Sequence, residues 1–270
     1  MAQATRTLLV SEPLAGGRLW TGLRTIVLRE CAVIARFWSV TLAPPVMTTL
    51  LYFAIFGEIL GKQIGPFSGI DYIRYLSPGL IVLWVISFGF GHTASAFLGA
   101  RSFRFLEEIL VSPLPEWAVM AGYVTGGVIR GVLVGAAAAI TTLFVAHIHV
   151  SSVLVSTAAL LLAAVAASLG GFIAALFVQS FQQVEGIQLL ILTPLMYLGG
   201  VFNPVALLPD WAQKLALANP LLYMVNAVRY GLLGVSDVPV GVAFWMMGAT
   251  AIVLLVAALS LLAGGKGIRD

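Results

Sequence analysis

Six apolar stretches, each long enough to cross a hydrocarbon core of about 30 Å, take up most of this 270-residue chain and leave only short polar connections. They fall approximately at 37–56, 76–98, 118–146, 150–178, 187–202 and 240–264. In lipid, backbone N–H and C=O groups must find partners inside the segment or in a closed barrel, and no alternating barrel pattern occurs here. The expected fold class is therefore all-α integral membrane, with six transmembrane helices. Charged residues make up 9% of the chain, against about 25% in soluble domains. No length remains for a separate enzyme domain. The fifth stretch is short before its Gly-Gly-Val-Phe-Asn-Pro exit, which points to a broken or partly re-entrant end.

The net charge of +3 reflects orientation in a bilayer rather than affinity for nucleic acid. Arg6, Arg18, Arg24, Arg29 and Arg36 precede the first stretch, Arg101 and Arg104 follow the second, and Lys266 and Arg269 follow the sixth. The opposite connections hold Lys62, Arg74, Lys214 and Arg229, a bias of nine against four. Both termini are expected in the cytoplasm, with residues 37–264 as the transmembrane domain and 265–270 as a cytoplasmic tail. After Arg6 the apolar run is too short for a cleavable signal peptide, so the first span is expected to act as its own insertion signal. Cys31 is the single cysteine, which excludes an internal disulfide and a multi-cysteine metal site.

Residues 1–36 form the cytoplasmic N-terminus. Within them Arg18, Thr25, Arg29 and Arg36 nearly superpose at 100° per residue, with Leu19, Leu23, Val27 and Ile34 opposite. This pattern reads as an amphipathic helix, either interfacial on the inner leaflet or an ordinary cytoplasmic one. Glu30 falls on the apolar side, and the pattern does not explain it. Pro44-Pro45 and Pro194 predict kinks, serving either packing or gating. Gly126, Gly127, Gly131 and Gly135, and Gly170-Gly171, have the spacing of close helix packing.

The stretch from Tyr197 to Gly234 reads YLGGVFNPVALLPDWAQKLALANPLLYMVNAVRYGLLG. An apolar run stops, turns through prolines and resumes as short amphipathic pieces, so residues 203–234 predict an exoplasmic helical hairpin before the last span. Pro209 suits a first helical turn, and Leu208, Trp211 and Leu215 share a face. Asn219-Pro220 ends one helix and opens the next. Asn203, Trp211 and Arg229 complete the candidate hairpin residues, with Trp211 an anchor at the head groups and Arg229 a partner for an acidic group or a lipid phosphate. The pattern LGGVF-x-P, LPDW and NPLLYMVNAVRYGLLG closely resembles the last third of ABC-2 type transporter permeases, in the branch similar to the nodulation-factor export permease.

The connection at about 99–115 adds a second point of resemblance. Arg104 and Glu108 are an i,i+4 pair, Phe105, Leu106, Ile109 and Leu110 can form an apolar strip, and Ser112-Pro113 stops the helix. It is similar to the cytoplasmic coupling helix of ABC-2 permeases. The resemblance implies that Arg101, Arg104, Glu107, Glu108 and Pro113 engage a separate ABC ATPase subunit, two per complex, together with a second copy of the permease. ATP and Mg would then sit on the partner, since this chain carries no G-x-x-x-x-G-K-[ST] loop. Without the resemblance, the same residues read as a solvated loop.

Few polar groups lie within the spans. Arg130 is the one basic residue inside a span, where a charge costs about 2.5–3.5 kcal/mol on insertion scales. It reads as structural, as snorkelling, or as a contact for cargo. Tyr52, Phe56, Tyr197 and Phe202 sit near the outer ends of spans one and five. They read as a membrane belt, while the resemblance places those spans beside the conduit, making the four candidates for the translocation path. His92, His147 and His149 lack the company a metal site needs, so no metal is expected.

An exporter of an amphipathic or lipid-like substrate in a bacterial inner membrane is the reading that joins these features. An ion-coupled secondary transporter is the alternative, but it calls for buried carboxylates, and the spans show none. An intramembrane hydrolase fits poorly, because Glu107 and Glu108 are expected on the opposite side from His147 and His149.

Overall fold

The computed structural model describes residues 16–60, 70–103 and 114–264, which are helical apart from their connections. Helix α1 (Gly16–Arg36) passes through Phe37 into α2 (Trp38–Tyr52), which continues as wider π-helical turns over Phe53–Leu60. Three long helices follow: α3 (Tyr72–Ser102), α4 (Glu116–Ala146) and α5 (Val153–Phe177). Next come α6 (Phe181–Ile187), π-helical turns at Gln188–Leu192 and α7 (Thr193–Leu198), which together make one unbroken helix. After a short 3-10 turn at Val205–Leu207 come α8 (Asp210–Ala218), α9 (Pro220–Leu233) and α10 (Val240–Ala263).

Among the described residues, five helices are long and apolar enough to cross a membrane: Trp38–Phe56, Tyr72–Ser102, Glu116–Ala146, Val153–Phe177 and Val240–Ala263. They correspond to the expected first, second, third, fourth and sixth stretches. The fifth stretch behaves differently. Its helix begins at Phe181, ahead of the apolar run, so Gln182, Gln183, Glu185 and Gln188 occupy the early turns. Its irregularity is a widened π-helical stretch inside this helix, while the broken end was expected at its exit. Thr193 returns both its N–H and its hydroxyl, the latter at 3.0 Å, to the Gln188 carbonyl, widening the turn just before Pro194, which has no N–H to give.

Helix α3 is the centre of the bundle and packs on α4, α5 and α9. Glycine makes this possible: a Cβ at Gly127 would overlap Thr93 Oγ1, and one at Gly131 would lie 2.9 Å from the Val85 carbonyl oxygen. The backbones therefore meet directly, which is how helices gain contact in a solvent that offers no hydrophobic drive between them. Helix α1 lies along α4. Ile26 meets Gly122 and Glu30 meets Gly126, one turn apart on each helix, so the buried stripe of α1 is Ile26, Glu30 and Ile34. This is rotated from the stripe that hydropathy alone picks out, and Leu28 and Val33 remain exposed.

The hairpin residues divide into two unlike helices. Asn219 caps α9 by accepting from Leu221 N at 3.0 Å, and its amide donates to the Leu195 carbonyl at 2.6 Å, fixing the hairpin to α7. Helix α8 starts at Asp210, with Pro209 just before it, and presents Trp211 and Leu215 outward. Helix α9 is instead part of the core, with Leu222, Met224 and Val228 fully buried.

Candidate functional site

Two ends of the bundle can be told apart by connectivity. The lower end holds the last turn of α3, the first turns of α4 and α6, and the last turn of α5; the upper end holds the hairpin.

At the lower end, Arg101 caps its neighbour. Its guanidinium donates to the Leu176 carbonyl at 3.5 Å and to the Val178 carbonyl, satisfying groups that the end of α5 leaves without helical partners. Arg104, Glu107, Glu108 and Pro113 lie outside the described residues.

At the upper end the four candidate path aromatics come together. Phe202 is the hub, with ring centroids 5.8 Å from Tyr52, 5.9 Å from Phe56 and 5.0 Å from Tyr197. Tyr72 joins through Phe56 and donates its hydroxyl to the Phe202 carbonyl at 3.0 Å. Because Tyr52 and Phe56 come from the first span and Tyr197 from α7, the cluster bridges the two spans singled out from sequence. Tyr197 keeps half its surface exposed.

Arg229 is resolved between its two expected partners in favour of the acidic one. It is 1% exposed and pairs with Asp237 at 2.9 Å, donates to the Gly200 carbonyl at 2.7 Å, and lies 4.0 Å over the Tyr75 ring. Burial pulls its pKa below the ordinary arginine value, and Tyr75 and Asp237 oppose that pull. The result ties α9, the turn after α7, α3 and the segment before α10 into one corner.

Arg130 sits roughly midway along α4, with its guanidinium held by neighbouring helices. One terminal nitrogen lies 3.0 Å from His92 Nδ1 and the other donates to Thr41 Oγ1 at 3.0 Å, while the guanidinium carbon lies 5.6 Å from the Phe88 ring centre. On the far side of the imidazole, His92 Nε2 stands 3.0 Å from Glu30 Oε2, a close polar contact rather than an aligned hydrogen bond. A guanidinium can only donate, so Nδ1 must accept, and the imidazole proton is assigned to Nε2, facing the carboxylate. His92 thus relays a carboxylate to a guanidinium between α1, α3 and α4, with Thr41 adding α2. Both Glu30 and His92 are buried.

Neither partner was picked out as a site residue by pattern. The usable signals were that a mid-span arginine requires a counter-charge, and that Glu30 was the carboxylate out of place on its own helix. The expectation concerned the spans, and the buried acid comes from outside them: α1 brings Glu30 into the bundle. Among the described residues, no group of three or more His, Cys, Asp or Glu side chains gathers as a metal site would need.

A cavity of about 320 Å³ opens beside Arg130 and His92, closed on the other side by Glu185 and Gln188 of the fifth helix. Gln188 donates to the Ser87 carbonyl at 2.9 Å, holding that helix against α3. A second hollow of about 540 Å³ shares Ser87, Glu185 and Gln188 and runs up the same helix past Leu189 and Leu192 to Met196. That residue adjoins Tyr197, so the two hollows and the aromatic cluster follow one another along a single helix. Both hollows mix polar side chains with apolar ones.

Residues 21–233 match the ABC-2 type transporter family. The chain is 39% identical to inner membrane transport permease YadH of Escherichia coli (strain K12) over 251 residues, 93% of this chain and 98% of that protein. It is also 26% identical to nodulation protein J of Rhizobium leguminosarum bv. viciae, over 82% of this chain and 84% of that protein. With its bundle of apolar helices and a family match across most of its length, the chain is a multi-pass membrane protein of the ABC-2 type transporter family.

Proposed function

We propose that this chain is the membrane subunit of an ATP-driven exporter in a bacterial inner membrane, pairing with a second copy and with two ABC ATPase subunits. The observation that carries the reading is the family match over a helical bundle in which two hollows of mixed polar and apolar lining lead to an aromatic cluster. Such a mixed lining suits an amphipathic or lipid-like cargo better than a free ion, since no ring of acidic residues or carbonyl filter lines it among the described residues.

In this reading six helices span, the fifth being the less apolar one from 181 to 198, and both termini are cytoplasmic. The lower end of the bundle then faces the cytoplasm, α1 runs from the interface up the flank of α4, and exposed Trp211 seats the hairpin in the outer head-group region. Residues 99–115 receive the ATPase stroke. Nucleotide binding on the partners shifts the population between inward and outward states only by its differential affinity for them. Arg101, braced on the end of α5, passes that movement into the bundle.

The test is reconstitution with an ABC ATPase whose gene adjoins the permease's. The two are expected to co-purify, and reversing charge with E107K and E108K should abolish cargo-stimulated ATP turnover while membrane insertion stays normal. Full coupling in the double reversal would remove the coupling role from this loop. A second reading, a proton-coupled carrier, draws on the buried Glu30–His92 pair. Uptake or efflux driven by a proton gradient without nucleotide would favour it.

A further inference from the structure

We propose that the cavity beside Arg130 is a head-group site for an amphiphile that carries an amine next to a phosphate, the chemistry of an aminophospholipid. This rests on the transporter reading for its place in a translocation path, though the binding itself does not depend on ATP.

Charge placement selects the class. Arg130 spends two of its five N–H donors, on His92 and Thr41, and its buried Nε meets no acceptor among the described residues. An anionic oxygen in the cavity would answer the terminal N–H groups that remain. The positive charge is already balanced from behind, however, because Glu30 faces Arg130 through His92. Glu185 adds a second carboxylate on the opposite wall, exposed to the cavity. A purely anionic ligand would meet one cation and two carboxylates. A purely cationic one would leave the guanidinium donors unanswered. A phosphate with an amine a few atoms away places each group against its complement, with the hydroxyls of Ser87 and Ser95 as further partners in the lining.

Shape agrees with charge. The second hollow carries Leu189, Leu192 and Met196 upward from the shared Ser87, Glu185 and Gln188, so a head held at Arg130 has an apolar strip on one helix for its chain. Arg130 is 14 residues from Glu116 and 16 from Ala146 along α4, placing the site near the middle of that helix. A head group lodged there would be part-way along that span.

Binding can be read on the purified full chain in detergent, by thermal shift and titration with dihexanoyl phosphatidylethanolamine, dihexanoyl phosphatidylglycerol and hexylammonium. The phosphatidylethanolamine probe is expected to bind most tightly. E185Q should erase its advantage over phosphatidylglycerol, and R130K and R130Q its advantage over hexylammonium, each by roughly tenfold, the loss of one charge-assisted hydrogen bond. E185Q changes an exposed residue and so tests the proposal even if the Arg130 variants fold poorly. Equal affinity for the three probes, or E185Q indistinguishable from the parent in selectivity, would overturn the proposal. Adding the ATPase separates the sources: probe-stimulated ATP turnover marks the site as a cargo site, and tight selective binding without stimulation marks it as a site for resident lipid. Selective binding with no ATP-dependent transport at all would remove the exporter reading and leave the site standing.

Discussion

Two arginines sit inside this bundle, and their surroundings are opposites. Arg229 at the upper end is locked by Asp237, the Gly200 carbonyl and the Tyr75 ring and is 1% exposed. Arg130 at mid-bundle is held by His92 and Thr41, borders a cavity of about 320 Å³, and reaches its counter-charge only through an imidazole. The first arrangement closes a corner of the fold. Each leaves its buried Nε without an acceptor among the described residues, but the second does so beside a cavity. In a medium where each unpaired charge is costly, an arginine with its partner at contact is architecture, and one with a relayed partner and a cavity has room to act.

The sharpest break of that contrast is removal of the direct partner. D237A leaves Arg229 buried without its carboxylate and is expected to cost about 3–5 kcal/mol, read as loss of thermal stability of the detergent-solubilised chain. R130Q should cost much less stability while reducing transport, and the reverse ranking would show that the two roles have been exchanged.

Next in size is the relay itself. Glu30 and Arg130 never touch, so a cycle of E30Q, R130Q and the double variant isolates what His92 transmits. A coupling of about 1–3 kcal/mol is expected, the range for members of one network. Additive losses would mean that the three side chains only happen to be neighbours.

How much of this was legible beforehand follows from which forces are local. Apolar runs declare spans, and Asn219-Pro220 declares a hinge, because the helix boundary depends on a proline and a cap within three residues. The meeting of Tyr52, Phe56, Tyr197 and Phe202 could be anticipated since all four lie near the same ends of two spans. Glu30 could not be placed, because what makes it buried is Gly126, nearly a hundred residues later, whose missing side chain lets α1 approach. The early start of the fifth helix was hidden for a related reason. Hydropathy penalises Gln182, Gln183, Glu185 and Gln188, but here Gln182 and Glu185 line the hollows, Gln188 anchors to α3, and Gln183 accepts from the Gln179 N–H at the start of the helix. Residues 104–113, where the coupling reading is concentrated, stand outside the described structure.

Two smaller effects refine the comparison. G127V should lose about 1–3 kcal/mol by forcing α4 off α3, and it should weaken the Arg130 network more than the Arg229 corner, which hydrogen exchange at the two ends can distinguish. N219A removes one cap and the bond to α7, an expected loss of about 1 kcal/mol confined to the hairpin. A loss that spreads to α4 would show the upper and lower regions to be coupled rather than separate.

The claim on which the account turns is that transport here is powered by a separate nucleotide-hydrolysing subunit. Proteoliposomes holding the permease with its ATPase, loaded with a fluorescent aminophospholipid and free of any ion gradient, give the direct measurement. Movement of the label between leaflets is predicted on adding ATP and Mg, with none when either the ATPase or the nucleotide is left out. Movement at the same rate with a proton gradient and no ATP would contradict it.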